Sequence, residues 1–575
     1  MYILGINAYH ADASAALFRD GVLLAAIEEE RFRRIKHWVG FPSMAIEFCL
    51  KEAGIALPEV AHIAIGRDPK AKYWRKIGYL LQHPHDVAGL WKRWQNKQQV
   101  SSMEAALADL GQGPDQAALR AKIHQVEHHR AHLASAFFAS PFDSAALLSI
   151  DGSGDFSTAM TGIGRGTQME ILDSLDFPHS LGLFYTAFTQ FLGFPHYGDE
   201  YKIMGLAPYG EALYVDKIGD LVEFTPDGLF RLRPSYFRRD LLDILSYEDN
   251  IPRVQSLYSE YFCQQFGAPR KKDDPLSQYH RDLAASVQRF TEMAIFRMLG
   301  HLHQKTGLTR LCLAGGVAQN SVANGKLSRN TPFKEIYIPS AGHDAGISMG
   351  AALYVHHQVL RQSRGAAIWS AYTGSHFSNE AIEACLKARN ITYVRHSDES
   401  LFDLVSTCLA NGSVVGWFSG RSEFGPRALG GRSILADPRR NDAKDLLNAK
   451  IKRRESFRPF APSILEEYVA EYFEVDEPVP FMEKVFPIRQ EKRAAIPAVT
   501  HVDGSGRLQS VNKAVSPRYY QLIDAFRQKT GVPILLNTSF NENEPIVNTP
   551  EEALACYLRT NMDMLVLENC VVSRL

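Results

Sequence analysis

The sequence has no surplus of either charge: 63 Lys and Arg stand against 64 Asp and Glu in 575 residues, a net charge of -1. No bulk attraction to nucleic acid or to an anionic membrane is therefore built in. Cysteine is scarce, with seven residues, an odd number, scattered and without a CxxC pair. That usage supports neither a disulfide framework nor a zinc ribbon, and reduced thiols in a cytoplasmic protein are expected. Long apolar runs are missing, since no stretch of about 20 residues, the length a spanning helix needs, is free of polar side chains. The chain runs from Met1 into an alternating strand pattern without a basic and apolar leader. Low-complexity segments and short-period repeats are absent. What remains is an ordinary globular composition, 45% hydrophobic and 22% charged, long enough for two or three domains.

What is present is a strand grammar that occurs twice. Alternation predicts strands at 2–7, 14–18 and 22–28 with turns at 9–13 and 19–21, and again at 145–151, 158–163 and 169–175 with Gly152, Gly154, Gly164 and Gly166 in the turns. A duplicated strand, polar turn and strand is how actin-like and sugar-kinase-like ATPases hold a nucleotide between two related halves. Mostly helical stretches are expected over 42–139 and 241–306. Glycine clusters follow at 311–320 and 340–352, the second opening a helix that continues to about Val359. The expected division is a domain over 1–360, a linker over 361–375 and a second α/β domain over 376–575. In that second domain, helices are expected at 380–389 and 401–411, and strands at 414–418 and 532–537.

Three constellations carry chemistry. In EHHRAHLASAFFAS (127–140), His128 and His132 are four apart and share one helix face, while His129 is rotated by about 100°. Asp151 at a strand end and Asp344 at the start of a glycine-rich helix stand where the duplicated fold would converge. Two imidazoles and two carboxylates suit a ferrous or similar divalent ion. Second, Asp151-Gly152-Ser153-Gly154, Gly315-Gly316 and Gly342 to Gly346 each follow or flank an apolar strand, and glycines there let backbone N–H groups approach phosphates. Third, basic residues concentrate in RSEFGPRALGGR (421–432), KIKRRESFR (450–458) and Arg507. Glycine and proline among them argue for loops presenting guanidinium groups inward, which bind phosphate dianions bidentately.

With these residues in hand, the chain resembles the O-carbamoyltransferases of the NodU and CmcH type. The matching stretches are LGINAYHADASAAL (4–17), EEERFRRIKH (28–37), EHHRAHLASAF, DEYKIMGLAPYG (199–210), LAGGVAQN, SEFGPRALGGRSILADPR, RESFRPFAPSIL, THVDGSGRLQSV (500–511) and LLNTSFNENEPIV (535–547). Only the insertions, roughly 73–122 and 230–275, lack motifs. The resemblance implies a TsaD-like, duplicated actin-type first domain and a YrdC-like second domain. Carbamoyl phosphate and ATP, with Mg2+ beside the ATP, would react in the second domain to carbamoyl adenylate, and the first would transfer the carbamoyl group to a hydroxyl.

Carried over residue by residue, the resemblance gives Arg427, Arg432, Lys452, Arg458, Arg507 and Asn537, with Ser539, the hold on carbamoyl phosphate and the adenylate. Gly152, Ser153, Gly315, Gly316, Asn320 and Gly346 would line the nucleotide cleft. His128, His132, Asp151 and Asp344 would hold iron(II), and His10 and Asp12 would lie beside the acceptor. Many relatives read His-Asp-Ala-Ser where this chain has His10-Ala11-Asp12-Ala13-Ser14, which displaces His10 by one position.

Three rivals make different demands. A threonylcarbamoyladenosine-forming tRNA enzyme would need a broad basic face. A sugar kinase would leave the arginine-rich second domain without a purpose, and a non-catalytic actin-like binding protein would not turn over carbamoyl phosphate. The acceptor stays open among an aminoglycoside, a macrolide sugar, a chitin-like oligosaccharide and an alkaloid alcohol.

Overall fold

The computed structural model describes residues 1–82, 103, 105–107, 109–110, 116–240, 245–452 and 454–574. It divides into two units, Met1–Asn320 with Leu327–Ile368, and Ser321–Lys326 with Trp369–Leu575. Most of the insertion expected over 73–122 lies outside the described residues, as does Arg453 of the basic segment 450–458.

The first unit contains one topology twice. In one five-stranded sheet the order is Val22–Glu28, Ser14–Arg19, Tyr2–Asn7, Val60–Ile65, Ile123–Gln125. The first three are antiparallel, and Val60–Ile65 and Ile123–Gln125 join parallel to Tyr2–Asn7. In the other sheet Gln168–Asp176, Ser157–Arg165 and Ser144–Gly154 are antiparallel, and Arg310–Ala314 and Glu335–Tyr337 extend the sheet in parallel. This is the duplicated α/β architecture that the strand grammar predicts. A parallel strand needs a crossover of a dozen or more residues, so each half spends its helices there, Ser43–Ala53 in the first and Gln278–Thr306 in the second.

Two expectations gain detail. Among the described residues the stretch 42–139 is mostly helical, with Ser43–Ala53, Tyr73–Gln82, Gln116–Ala121 and His128–Phe137, but it also supplies Val60–Ile65 and Ile123–Gln125, the parallel strands that complete the first sheet. Their apolar runs are too short to separate strand from helix by period alone. Within the stretch 241–306 a hairpin, Leu245–Glu248 with Ile251–Val254, precedes the helices Glu260–Phe266 and Gln278–Thr306.

Each half ends on an equivalent helix, His128–Phe137 after the first sheet and Gly346–Tyr354 after the second. The two cross at Gly350, where a Cβ would collide with the carbonyl of Ala131. Only glycine permits backbone contact that close. Ser14 ties the halves further, its hydroxyl donating to Ala345 O at 2.7 Å and lying 2.9 Å from Ser348 Oγ. The first-half core is Leu4, Ile6, Leu17, Ile27, Ile46 and Ile63, all fully buried, each worth about 1.5–3 kcal/mol.

The second unit is built on a nine-stranded mixed sheet in the order Val394–Arg395, Cys570–Ser573, Met564–Leu567, Val415–Phe418, Arg432–Ala436, Ile534–Ser539, Ala461–Leu465, Ser505–Val511, Lys484–Pro487. Helices Asn379–Ala388, Asp398–Ala410, Pro517–Thr530 and Pro550–Arg559 contribute buried side chains to the same core as Trp417, Ile434, Leu535 and Val566. All seven cysteines are free thiols. No helix among the described residues is long and apolar enough to cross a membrane.

Candidate functional site

Two clusters stand out, one in each unit. In the first unit, the Glu127 carboxylate caps the helix His128–Phe137 by accepting the Arg130 N–H at 2.8 Å. That sets His128 in the first turn and His132 one turn on, facing the same way. Asp151 meets them from the central strand Ser144–Gly154, and Asp344 from the residues just before the helix Gly346–Tyr354. His128 Nε2 and His132 Nε2 each lie 3.1 Å from Asp151 Oδ2, and 3.6 and 3.4 Å from Asp344 Oδ1. All four residues are buried, with ligand atoms within 4.8 Å of one another.

The other Asp151 oxygen, Oδ1, accepts the N–H groups of Gly152 at 2.7 Å and Gly316 at 3.2 Å, which fixes Oδ2 toward the imidazoles. Burial alone would raise Asp151, but the two histidines outweigh it and hold the carboxyl well below its ordinary range. Asp344 Oδ1 is buried without a hydrogen-bond donor. Two imidazoles, two carboxylates and an orphaned oxygen fit a borderline divalent cation.

The three glycine clusters meet beside these ligands. Gly315 donates its N–H to Gly342 O at 2.7 Å, and Gly152 follows Asp151 directly. Gly152 and Ser153 are partly exposed and Gly346 is buried. Asn320 is engaged elsewhere, exchanging hydrogen bonds with Gln288 at 2.9 and 3.0 Å. His10 sits against the cluster, its Nδ1 2.6 Å from Asp344 Oδ2 and its ring 5.0 Å from that of His128. The Nδ1 contact is close enough for an ion pair but is not aligned as a hydrogen bond. Asp12 instead pairs with His37, a residue not singled out from the sequence.

In the second unit the loop 421–432 is braced from both ends. Glu423 Oε1 accepts the N–H groups of Leu429, Gly431 and Arg432 at 2.7, 2.7 and 3.2 Å. The fully buried Arg432 donates to Gly420 O, Gly431 O and Ser375 O at 3.0, 2.9 and 2.7 Å and stacks 3.6 Å over the Phe418 ring. Arg432 therefore shapes the loop, and Arg427 between those braces is the residue the loop carries. Lys452 is spent in the same way, its ammonium donating to Ser539 O, Asn541 O and Asn541 Oδ1 at 2.6, 2.7 and 2.7 Å. Asn537 donates to Ala428 O, Ser463 Oγ and Gln509 Oε1, leaving a buried Oδ1 without a partner.

Arg507 lies on the strand Ser505–Val511 two residues from Gln509, so both face one way. Burial and the neighbouring Arg427, Arg454 and Arg458 push Arg507 well below the ordinary guanidinium range, and its Nε is buried without a partner. Four guanidinium groups crowded together are costly unless an anion joins them. His501 lies in the same field, lowered to about 4 by burial with Arg507 and Lys444 adding to it against Asp503. Arg454 and His501 lie in the basic segment and in THVDGSGR without having been assigned, and their nearness to Arg507 is the signal that finds them. A surface cavity of about 480 Å3 lined by Tyr258, Glu260 and Cys263 contains none of these side chains.

The chain thus gathers two imidazoles and two carboxylates in one unit and four arginines in the other. Residues 2–353 match the model of the carbamoyltransferase N-terminus and residues 406–574 that of the carbamoyltransferase C-terminus. The chain belongs to the carbamoyltransferase family and is a transferase. Protein sll1178 of Synechocystis sp. is 45% identical over 100% of this chain and 97% of its own length. Nodulation protein NolNO of Sinorhizobium fredii is 38% identical over 99% of this chain and 80% of its own, and nodulation protein NolO of Bradyrhizobium diazoefficiens 41% over 77% and 78%. Among solved structures, (R)-2-hydroxyglutaryl-CoA dehydratase component A of Acidaminococcus fermentans aligns with 63% of this chain and 99% of its own at 13% identity, with a TM-score of 0.32, too low to bear on function.

Proposed function

We propose that the chain is an ATP-dependent O-carbamoyltransferase that activates carbamoyl phosphate as carbamoyl adenylate in its second unit and delivers the carbamoyl group in its first to a hydroxyl of a small molecule, a sugar-bearing natural product or an oligosaccharide. The observation that carries this reading is the group of four arginines formed by Arg507 with Arg427, Arg454 and Arg458 in a carbamoyltransferase C-terminal domain. Such a set matches a substrate bearing a phosphate dianion, and a nucleotide adds further phosphates for Arg427 and Arg458 to hold.

Carbamoyl phosphate and water would give carbamate and phosphate; carbamate oxygen then attacks the α-phosphorus of Mg2+-bound ATP, releasing pyrophosphate. Free carbamate decomposes readily, so an arginine-lined site that holds it as the anion beside ATP favours capture over loss. In the first unit, Gly152, Ser153, Gly315, Gly316 and Gly346 would cradle the nucleotide phosphates. His128, His132, Asp151 and Asp344 would hold iron(II) or a similar divalent ion, which supplies a Lewis-acid charge for phosphate or carbonyl oxygens. No surplus of basic residues supports tRNA as the acceptor.

The test is the fate of ATP. The purified full chain given carbamoyl phosphate, ATP and Mg2+ should release AMP and pyrophosphate, and a set of candidate alcohols screened by mass spectrometry should yield one carrying a single added carbamoyl group. Release of ADP and phosphate in place of AMP and pyrophosphate would refute the adenylate route.

A further inference from the structure

The family resemblance implies His10 and Asp12 as neighbours of the acceptor, but the two side chains serve different partners. Asn7 Nδ2 donates to the carbonyls of Ala11 and Asp12, both at 3.1 Å, and holds the turn after the first strand. That turn is zipped to a second loop: Tyr9 N–H donates to Gly40 O at 3.0 Å and Ala13 N–H to Trp38 O at 3.1 Å. Both Asp12 and His37 take left-handed backbone angles, φ 57° and 56°, at about 1–2 kcal/mol each for a residue with a Cβ. Such strain collects where geometry matters to function. Its result is a contact of 2.8 Å between Asp12 Oδ1 and His37 Nδ1.

The pair is oriented on every side. The His37 backbone N–H donates to Glu30 Oε2 at 2.9 Å, which closes the turn. Asp12 is buried and, although burial opposes it, His37 and His343 hold its carboxyl at about 2, so it stays ionised and keeps the proton on His37 Nδ1. The other ring nitrogen, Nε2, has no hydrogen-bond partner among the described residues and belongs to a side chain 32% exposed. Gly198, at φ 82°, stands beside it, and a Cβ there would collide with Nε2. Tyr197 packs edge-on with ring centroids 5.1 Å apart, and its phenol is raised by burial and by the charges of Asp344, Asp12 and Asp151. Asp12 connects His37 toward the four-ligand cluster, its Oδ2 lying 4.0 Å from Nε2 of His343, the residue before Asp344.

We infer that His37, backed by Asp12, is the base that takes the proton from the acceptor hydroxyl, while His10 serves as a positioning partner of Asp344. This rests on the reading of carbamoyl transfer to a hydroxyl given above. As the acceptor oxygen bonds to the carbamoyl carbon, its proton passes to His37 Nε2. The bond from that carbon to the phosphate oxygen breaks, and AMP leaves with the electron pair as an anion that needs no proton. The imidazolium is held against Asp12 until solvent removes the proton. An aspartate behind Nδ1 fixes the tautomer and strengthens Nε2 as a base.

Burial lowers His37, but Asp12 and Glu30 outweigh it and Lys36 and raise it to about 9. Glu200 and Tyr197 also face it. The base acts unprotonated, so transfer should rise with pH and level off above about 9.

The experiment uses the full, metal-loaded chain with carbamoyl phosphate and ATP and two probe nucleophiles, glycerol and hydroxylamine. An alcohol needs a base to attack; hydroxylamine does not, and its product, hydroxyurea, is the internal reference. In His37→Gln the ratio of glyceryl carbamate to hydroxyurea should fall by about 100- to 10,000-fold, the range of general-base contributions. In Asp12→Asn the pH profile should shift to lower pH, and bound metal should be unchanged in both variants. An unchanged ratio, hydroxyurea without any glyceryl carbamate from the wild type up to pH 10, or loss of metal in His37→Gln would overturn the inference. Absence of both products from the wild type would instead refute the transfer reading beneath it.

Discussion

The histidine–aspartate cluster of the first unit and the arginine set of the second solve opposite problems with different materials. His128, His132, Asp151 and Asp344 come from two pseudo-equivalent halves, and opposite charges partly compensate one another before any ion arrives. Arg427, Arg454, Arg458 and Arg507 share one sign, with Glu455 3.5 Å from Arg458 as a carboxylate partner. The first set can persist as hydrogen-bonded pairs; the second is a repulsion that a bound anion relieves. Side chains that look alike in sequence divide along the same line, since Arg432 and Lys452 bond to carbonyls and build loops, while Arg507 leaves a buried Nε unpartnered.

The largest effect is expected from His132→Ala, which removes one of two nitrogen ligands. Bound divalent metal should drop at least about 100-fold in affinity, more than loss of a supporting partner costs, and transfer should vanish with it. Metal analysis giving equal content in wild type and variant would erase the distinction between the clusters.

Next, Arg507→Ala should lower kcat/KM for carbamoyl phosphate by about 30- to 1,000-fold, as loss of a buried charged contact costs roughly 2–4 kcal/mol. Its thermal stability in phosphate-free buffer should hold or rise, because a like-charge contact is gone. Added phosphate should raise the Tm of the wild type but not of the variant. Arg432→Ala should do the reverse, leaving carbonyls unpaired and costing about 3 kcal/mol of stability. A fall in Tm for Arg507→Ala as large as that for Arg432→Ala would place both arginines in the scaffold.

A smaller, pH-dependent effect belongs to His501. Its pKa is lowered to about 4 in the folded chain, against about 6.5 unfolded. The unfolded state therefore binds the extra proton first, and stability present above about pH 6.5 should be lost progressively as pH falls toward 4. His501→Asn should flatten that part of a Tm-versus-pH curve; an identical slope would remove His501 from the arginine field.

The two regions were also unequally legible. The gathering of the histidine–aspartate cluster could be read because helical spacing puts His128 and His132 on one face and strand grammar puts Asp151 at a strand end. The nine-stranded sheet was legible only in part: Val415–Phe418 and Ile534–Ser539 fall on the strands expected at 414–418 and 532–537, whereas Lys484–Pro487 and Cys570–Ser573 are four-residue strands without a distinguishing period. His37 escaped because its partner is 25 residues away and their meeting depends on backbone bonds between two loops. Arg432 and Lys452 share the composition of a phosphate-binding motif, and only their carbonyl partners reveal what they do.

The crossing at Gly350 bears on how the chain assembles. The histidine ligands end the first half and the aspartate ligands belong to the second, so neither half alone presents more than two. An ion bound by all four residues would therefore need both halves docked, and its binding energy would favour their union over either half alone. Chelation should then split one cooperative thermal transition into two, with the halves parting before either melts.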